Sequence, residues 1–250
     1  MNKYKNLAFN TIILAVGTFG SKILSFFLTR LYTTYMPSET LGTKELIETT
    51  ANFLIPVFTF AISEAVIRFG LDREYDNRQV FSTAIMIQVM GLLIMGLLSP
   101  FLSLIPFVKG FTPLLAIYVI VSSFRQTCSL FVRSIGYVKL YAFDGILATV
   151  TIFIFNIIFI SGLKLGLKGF FLAVIASDLC STVFLWCIAS LRKYFSIRYA
   201  DRDVMHTMLR FSIPMIPTSV MWIITGFSDR LFIKYLDGPA GTTGDSAAGI

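Results

Sequence analysis

The sequence predicts an all-α fold, a polytopic membrane helix bundle of about seven transmembrane helices. Apolar residues make up 56% of the 250 positions and charged residues only 14%, whereas soluble domains carry about 25% charged residues. The mean hydropathy is +0.77. A chain with so few charges cannot cover its own surface in water. The composition therefore excludes soluble, disordered, fibrous and disulfide-stapled proteins and indicates that lipid is the main solvent.

Seven apolar segments are long enough to cross a bilayer, which takes about 20 residues of helix. The first segment is too long for a cleavable signal peptide, and no small-residue cleavage motif follows it. Several segments contain Gly and Pro, which lipid-embedded helices tolerate. In chain order, the predicted spans are Leu7–Thr29, Leu41–Arg68, Val80–Ile105, Pro113–Ser134, Tyr141–Leu163, Lys168–Ser190 and Leu209–Tyr235.

Polar residues recur at helical spacing in most of these spans, which places them along one face of each helix. The third span has little beyond Gln88, and in the second span Pro56 interrupts the backbone hydrogen bonds midway. The other spans carry, in order, Thr11, Thr18, Lys22, Ser25 and Thr29; Glu45, Glu48, Asn52, Thr59 and Ser63; Ser122, Arg125, Gln126, Ser129 and Arg133; Asp144 and Asn156; Ser177, Asp178, Ser181 and Thr182; Asp229 and Arg230.

Ionised side chains inside a span indicate a partner or a cavity, because each costs about 2.5–3.5 kcal/mol to insert near the bilayer centre. Arg125 lies mid-span, where Asp178 or a cavity would accommodate it. Lys22 either faces the same cavity or extends its ammonium group to the interface. Glu64 and Arg68 are also spaced for an ordinary i,i+4 pair, and Ser and Thr in membrane helices commonly serve helix packing. Polar faces on several helices together predict a hydrated central cavity.

The distribution of basic residues predicts the orientation of the bundle. With a cytoplasmic N-terminus, 12 of the 21 Lys and Arg residues fall on the inner side and 6 on the outer side, and three lie within spans. Cytoplasmic loops of membrane proteins carry the excess of Lys and Arg. The N-terminus is therefore predicted to be cytoplasmic.

Several kinds of chemistry are not expected. The three Cys lie in apolar runs and there is a single His, so no metal-ligand spacing occurs. No nucleophile–base constellation appears. The longest loop, about Leu191–Met208, is too short for a further domain. The basic residues are scattered between apolar segments, which does not suit nucleic acid. We expect no enzyme activity, no cofactor, no metal and no nucleic-acid partner.

Three segments of the chain resemble a known family. They are similar to the first, second and seventh helices of bacterial polysaccharide-biosynthesis flippases of the multidrug/oligosaccharidyl-lipid/polysaccharide (MOP) exporter superfamily. One departure is Thr40-Leu-Gly42, where an aromatic residue commonly precedes the Gly. The segments are Gly17-Thr-Phe-Gly-Ser-Lys22…Thr29-Arg30; Glu45-Leu-Ile-Glu48…Pro56…Glu64-Ala-Val-Ile-Arg68; and Phe211-Ser-Ile-Pro214…Pro217…Ser228-Asp229-Arg230…Ala248-Gly249-Ile250.

This resemblance implies two six-helix lobes around a cavity that opens to each side of the membrane in turn. Residues 1–205 would form the N-terminal six-helix lobe, and residues 206–250 the first helix of a truncated second lobe. The odd number of spans agrees with such a truncation, and a complete seven-helix protein is the alternative. The implied location is the bacterial cytoplasmic membrane.

Members of this family move lipid-diphosphate-linked oligosaccharide or polysaccharide precursors to the outer leaflet. The implied partners are this lipid-linked sugar, membrane lipids and other glycan-synthesis proteins. The candidate substrate-binding residues are Lys22, Arg30, Arg68 and Arg125. The candidates for ion coupling or counter-charge are Glu45, Glu48, Glu64, Asp178, Asp229 and Arg230.

Two other functions fit the pattern. A multidrug and toxin extrusion antiporter of the same superfamily would use Asp178, Glu48 or Glu64 to bind cationic compounds and exchange H⁺ or Na⁺. A non-transporting membrane subunit of a glycan-synthesis complex would bury its polar faces against other proteins. The cations Lys22 and Arg125 favour an anionic substrate, because a diphosphate in a low-dielectric cavity needs charge-assisted hydrogen bonds.

Overall fold

A computed structural model describes residues 19–102, apart from 20, 21 and 25, and residues 108–225. All regular structure in these ranges is helical. Short turns connect most successive helices, so neighbouring helices run in opposite directions. The helices are α1 (residues 26–35), α2 (Ser38–Phe58), α3 (Ile62–Gly70), α4 (Asn77–Leu102), α5 (Thr112–Ser134), α6 (Val138–Asn156), α7 (Gly166–Ile188), α8 (Arg202–Ser212) and α9 (residues 215–225).

Five helical segments of the described chain are long and apolar enough to cross a membrane, and the bent pair α2–α3 makes a sixth. They are α4, α5, α6 with the turn that follows it, α7, and α8 with α9. The predicted all-α membrane bundle is thus confirmed. The predicted first span lies largely outside the described residues, as does the end of the seventh. The division into lobes at residue 205 stays a prediction.

The second predicted span is broken in the middle of the bundle. α2 ends two residues after Pro56, and α3 starts at Ile62 with its axis turned by 58°. The amide of Ala61 donates to the carbonyl of Pro56 at 2.8 Å, and that of Phe60 to Val57 at 3.4 Å. These two bonds and the left-handed φ of 55° at Phe60 make a Schellman-type helix end. The break therefore keeps its backbone hydrogen bonds within the chain, as a lipid environment requires.

The broken span is seated on α4 at Gly91. A Cβ atom at this position would lie 1.7 Å from the carbonyl oxygen of Phe58. Only a residue without a side chain permits this approach of two backbones. The small size of Gly91 therefore determines how closely the broken span packs on α4.

Two apolar clusters fill the bundle, and a polar layer separates them. One cluster contains Leu115, Tyr118 and Val119 of α5 together with residues of α1, α2 and the first half of α7. The other contains Cys128, Phe131 and Val132 of α5 with residues of α3, α8 and the first part of α4. Between them, α5 contributes Arg125 and α7 contributes Asp178. The polar layer thus lies midway along the spans, where the predicted cavity was placed.

α6 continues beyond Asn156 as a single wider turn. Residues Ile157–Gly162 form a π-helix, in which the hydrogen bonds span five residues instead of four. Such turns are rare and frequently occur near functional sites. Asn156, the last residue before this turn, is fully buried and accepts a hydrogen bond from the hydroxyl of Tyr32 at 3.1 Å.

Candidate functional site

A cavity of about 510 Å³ opens between α1, α2, α5, α6 and α7. Its apolar walls come mainly from α1, α6 and α7. Its polar and ionisable walls come from Thr29, Tyr32, Lys44, Glu45, Glu48, Thr49, Asn52, Tyr118, Arg125, Thr149, Ser177 and Asp178. Since ionisable groups are rare and costly inside spans, their concentration around this cavity makes it the candidate site.

Arg125 is the central cation of the site. Its Nε lies 3.5 Å from Oδ1 of Asp178 and donates to Oγ of Ser181 at 3.1 Å. The hydroxyl of Ser122 donates to the other carboxylate oxygen of Asp178. About a quarter of the Arg125 side chain is exposed, 26%. The guanidinium is therefore fixed along its Nε edge while part of it still faces the cavity.

Asp144 supports Arg125 from behind the cavity wall. It is fully buried, and its Oδ2 lies 3.9 Å from an Nη atom of Arg125. The hydroxyl of Ser129 donates to Oδ2 at 2.9 Å, and that of Ser181 donates to Oδ1. Asp144 is on α6, Ser129 on α5 and Ser181 on α7. One buried carboxylate thus joins three helices and keeps the guanidinium in place.

A second cation, Lys44, lies at the α1–α2 side of the cavity. Its Nζ is 2.6 Å from Oε2 of Glu48, one helical turn along α2. The same ammonium is 4.9 Å from the ring centres of both Tyr32 and Phe170, within the range of a cation–π contact. Lys44 therefore links α2 to α1 and α7 while remaining partly accessible.

The charges of the described lining are close to balance. Lys44 and Arg125 face three carboxylates, those of Glu45, Glu48 and Asp178. Each cation has a carboxylate within salt-bridge distance. In this conformation an anionic ligand would have to compete with Glu48 and Asp178 for the two cations.

Four of the predicted site residues come together at the cavity: Arg125, Glu45, Glu48 and Asp178. The cations Lys22, Arg30 and Arg68 are exposed and are not among its lining residues. Glu64 lines a separate cavity of about 320 Å³ beside the α2–α3 break, with Gln126 and Ser219. Asp229 and Arg230 lie outside the described residues.

Sequence reasoning missed Lys44 and gave Asp144 no role. Lys44 is one of the six basic residues that the predicted orientation places on the outer side, because it stands near the start of the second predicted span. Its spacing of four residues from Glu48 was the available signal for an ion pair on one helix face. Tyr32 and Phe170 gave no such signal, because aromatic residues are common throughout this chain.

Cysteine substitutions test whether the cavity is hydrated. In a background in which the three native Cys are replaced by Ala, Cys at positions 48 and 125 is expected to react with a water-soluble maleimide in whole cells. Cys at position 88 is expected to be protected, because Gln88 is fully buried against Ser123 and Thr127. Protection at all three positions would contradict a hydrated cavity and favour the non-transporting subunit.

Solved structures provide the comparison with known proteins. The fold is similar to that of a MATE protein in complex with MaL6 (TM-score 0.68, 15% identity, 93% of this chain and 57% of that one). It is also similar to an outward-facing multidrug resistance MATE family transporter of the MOP superfamily (TM-score 0.66, 14%, 89% and 53%). A third is a MOP superfamily transporter from Pyrococcus furiosus (TM-score 0.69, 13%, 93% and 56%).

These likenesses concern the fold. No protein-family model and no curated protein sequence matches the chain. The chain spans 57%, 53% and 56% of the three structures named above, which is slightly more than half of each. The predicted fold class, an all-helical membrane bundle of the MOP transporter type, is confirmed, while membership of the superfamily and the resemblance to flippases stay predictions. The chain therefore has, over most of its length, the helical fold of MOP superfamily transporters.

Proposed function

We propose that this protein is a membrane transporter that exposes its central cavity to the two sides of the membrane in turn. The polar cavity around Arg125 carries this proposal. Ionised groups at mid-span are costly in lipid and normally face a partner or water. Here they line an open volume in a bundle that has the fold of known transporters. The proposed activity is translocation without bond chemistry.

The substrate we propose is a lipid-diphosphate-linked oligosaccharide that moves from the cytoplasmic to the outer leaflet. The sequence resemblance to polysaccharide flippases supports this assignment. Lys44 and Arg125 would bind the diphosphate through charge-assisted hydrogen bonds. Glu48 and Asp178 would then lose their cationic partners, so substrate entry would leave two carboxylates free to take up a proton or a metal cation. The N-terminus would be cytoplasmic, in a bacterial cell membrane.

Neutralising the cavity cations tests this substrate. Arg125→Gln and Lys44→Gln are each expected to reduce transport of a polyprenyl-diphosphate-linked oligosaccharide at least about tenfold, since a hydrogen bond to a charged group contributes about 1.5–3 kcal/mol. The measurement is the fraction of the glycan exposed to an added glycosidase in proteoliposomes. Arg73→Gln, at an exposed cation between α3 and α4 that is not among the cavity-lining residues, is the control. Unchanged transport in both cavity variants would refute anion binding there.

Cation-coupled extrusion of the multidrug and toxin extrusion type is the second candidate. The observation in its favour is the excess of carboxylates over cations in the described lining. The polarity of the binding pocket is not the same in all proteins with this fold. The Pyrococcus furiosus transporter is described as having a binding pocket of reverse polarity. Under this candidate, Asp178→Asn would abolish efflux of an organic cation driven by an H⁺ or Na⁺ gradient. No transport of lipid-linked glycan would then be seen with the unsubstituted protein.

A further inference from the structure

The segment between α7 and α8, residues 189–201, forms a defined strap across one end of the bundle. It contains two short 3₁₀ turns, Leu191–Lys193 and Ile197–Tyr199. Leu191 is fully buried and Ala189 nearly so. Since α7 and α8 both belong to membrane spans, the strap that joins their ends lies at the membrane surface.

Two buried hydroxyls of α4 hold the strap backbone. The Ser82 hydroxyl donates to the carbonyl of Tyr194 at 2.9 Å and accepts from the amide of Ser196 at 3.1 Å. The Thr83 hydroxyl accepts from the amide of Asp201 at 3.3 Å. These three bonds fix the strap at its middle and at its end, so its side chains have set directions.

The strap divides into an inner aromatic face and an outer basic face. Tyr194 packs 5.3 Å from Phe131, and Phe195 packs 6.3 Å from Trp186, between ring centres. The outer face presents three exposed cations and an apolar side chain, Ile197, that is 72% exposed. The cations are Arg192, Lys193 and Arg198.

Neighbouring residues extend this basic face. The guanidinium of Arg78 lies 5.6 Å from the ring centre of Tyr199, and Arg202, the first residue of α8, is exposed. The nearby acids Asp76 and Asp201 accept hydrogen bonds from backbone amides at the starts of α4 and α8. Asp203 is exposed. Among these residues five cations stand against three acids, so the surface is positive, and the exposed Ile197 lies in the chain between Lys193 and Arg198.

We propose that the strap is a docking surface for the headgroups of anionic phospholipids in the bilayer. The basic side chains lie at headgroup level by the placement of the strap, where each Lys or Arg is attracted to anionic lipid. Ile197 would enter the acyl boundary between them, as apolar residues of interfacial segments do. This inference does not depend on the transported substrate.

Quenching of Trp186 by brominated lipid measures this interaction. Trp222→Phe leaves Trp186, beneath the strap, as the single tryptophan of the chain, and it can be excited selectively over the ten tyrosines. The protein is placed in phosphatidylcholine vesicles that contain brominated phosphatidylglycerol or brominated phosphatidylcholine. We expect the anionic lipid to quench more strongly at equal mole fraction. Replacing Arg192, Lys193 and Arg198 by Gln is expected to lower the preference for the anionic lipid at least about fivefold. A fivefold change is what the loss of roughly one cation from an anionic surface would produce.

The matched control removes three exposed lysines from the opposite end of the bundle. Lys109, Lys164 and Lys168 are all exposed, and their replacement by Gln is expected to leave the preference unchanged. Equal quenching by the two lipids in the protein with an unsubstituted strap would overturn the proposal. It would also be overturned if the control variant lost its preference for the anionic lipid while the strap variant kept it. Inorganic phosphate and chloride are expected to reduce quenching equally at matched ionic strength. Selective displacement by phosphate would identify a free-phosphate site and refute lipid docking.

Discussion

Replacing Asp144 by Asn is expected to lower the free energy of unfolding by about 3 kcal/mol, the lower end of the cost of removing one partner from a buried ion pair. The Asp144 carboxylate is fully buried and accepts hydrogen bonds from Ser129 and Ser181 while it faces Arg125. Asn can keep the shape but not the charge. The measurement is unfolding of the purified protein in mixed micelles, followed by circular dichroism.

A second substitution separates charge loss from a packing defect. Arg125 keeps Asp178 as a partner when Asp144 is neutral, so Arg125→Met in the Asp144→Asn background tests the coupling between the two residues. The double variant is expected to lose less stability than the sum of the two single variants, because both single changes remove the same interaction. Asp203→Asn, at an exposed carboxylate, is the control and is expected to change stability by less than about 0.5 kcal/mol. Equal stability of the Asp144→Asn variant and the unsubstituted protein would show that Asp144 does not support Arg125.

Gly91→Ala is expected to lower the free energy of unfolding by about 3 kcal/mol or more. Adding a group to a well-packed site usually costs about 1–3 kcal/mol, and here the added group must displace backbone, so the upper end of that range is expected. The added Cβ would lie 1.7 Å from the Phe58 carbonyl oxygen, and that oxygen belongs to the backbone at the break between α2 and α3. The two segments would have to separate. The same unfolding assay, together with the yield of folded protein after solubilisation, measures the loss.

Gly96→Ala on the same helix is the matched control. A Cβ at Gly96 would meet nothing within 4 Å, so the variant is expected to be neutral or slightly more stable, because Ala favours helix over Gly. If both variants behave alike, the loss at Gly91 reflects helix propensity and not the approach of α4 to the broken span.

The spans could be predicted from the sequence because the physical requirement for them is simple. A membrane helix needs about 20 apolar residues, whatever surrounds it. The predicted third to sixth spans therefore agree with the helices to within a few residues at most ends. The α2–α3 break was foreseen only as an interruption at Pro56. Its angle depends on the left-handed Phe60 and Ala61 and on the contact with Gly91, which lies about thirty positions further along the chain.

The site was predicted in part, for a related reason. Helical spacing places Arg125 and Asp178 on polar faces of their own helices, and the structure brings them together. Spacing does not show how two helices rotate relative to each other, so the roles of Asp144 and Lys44 depended on tertiary packing. For Lys22, Arg30 and Arg68, a positive charge within or beside a span was the whole argument. All three are exposed and are not among the lining residues of the described cavity, so their part in substrate binding stays a prediction.

The wide turn after Asn156 has a consequence for comparing this chain with others. A π-helical turn accommodates one extra residue in a helix, and each residue of a helix advances about 100° around the axis. A homologue with a regular turn here would carry one residue fewer between Asn156 and Gly166. An ungapped alignment across this point would then shift the residues of α7, which starts at Gly166, by one position and so assign them to the wrong face of that helix.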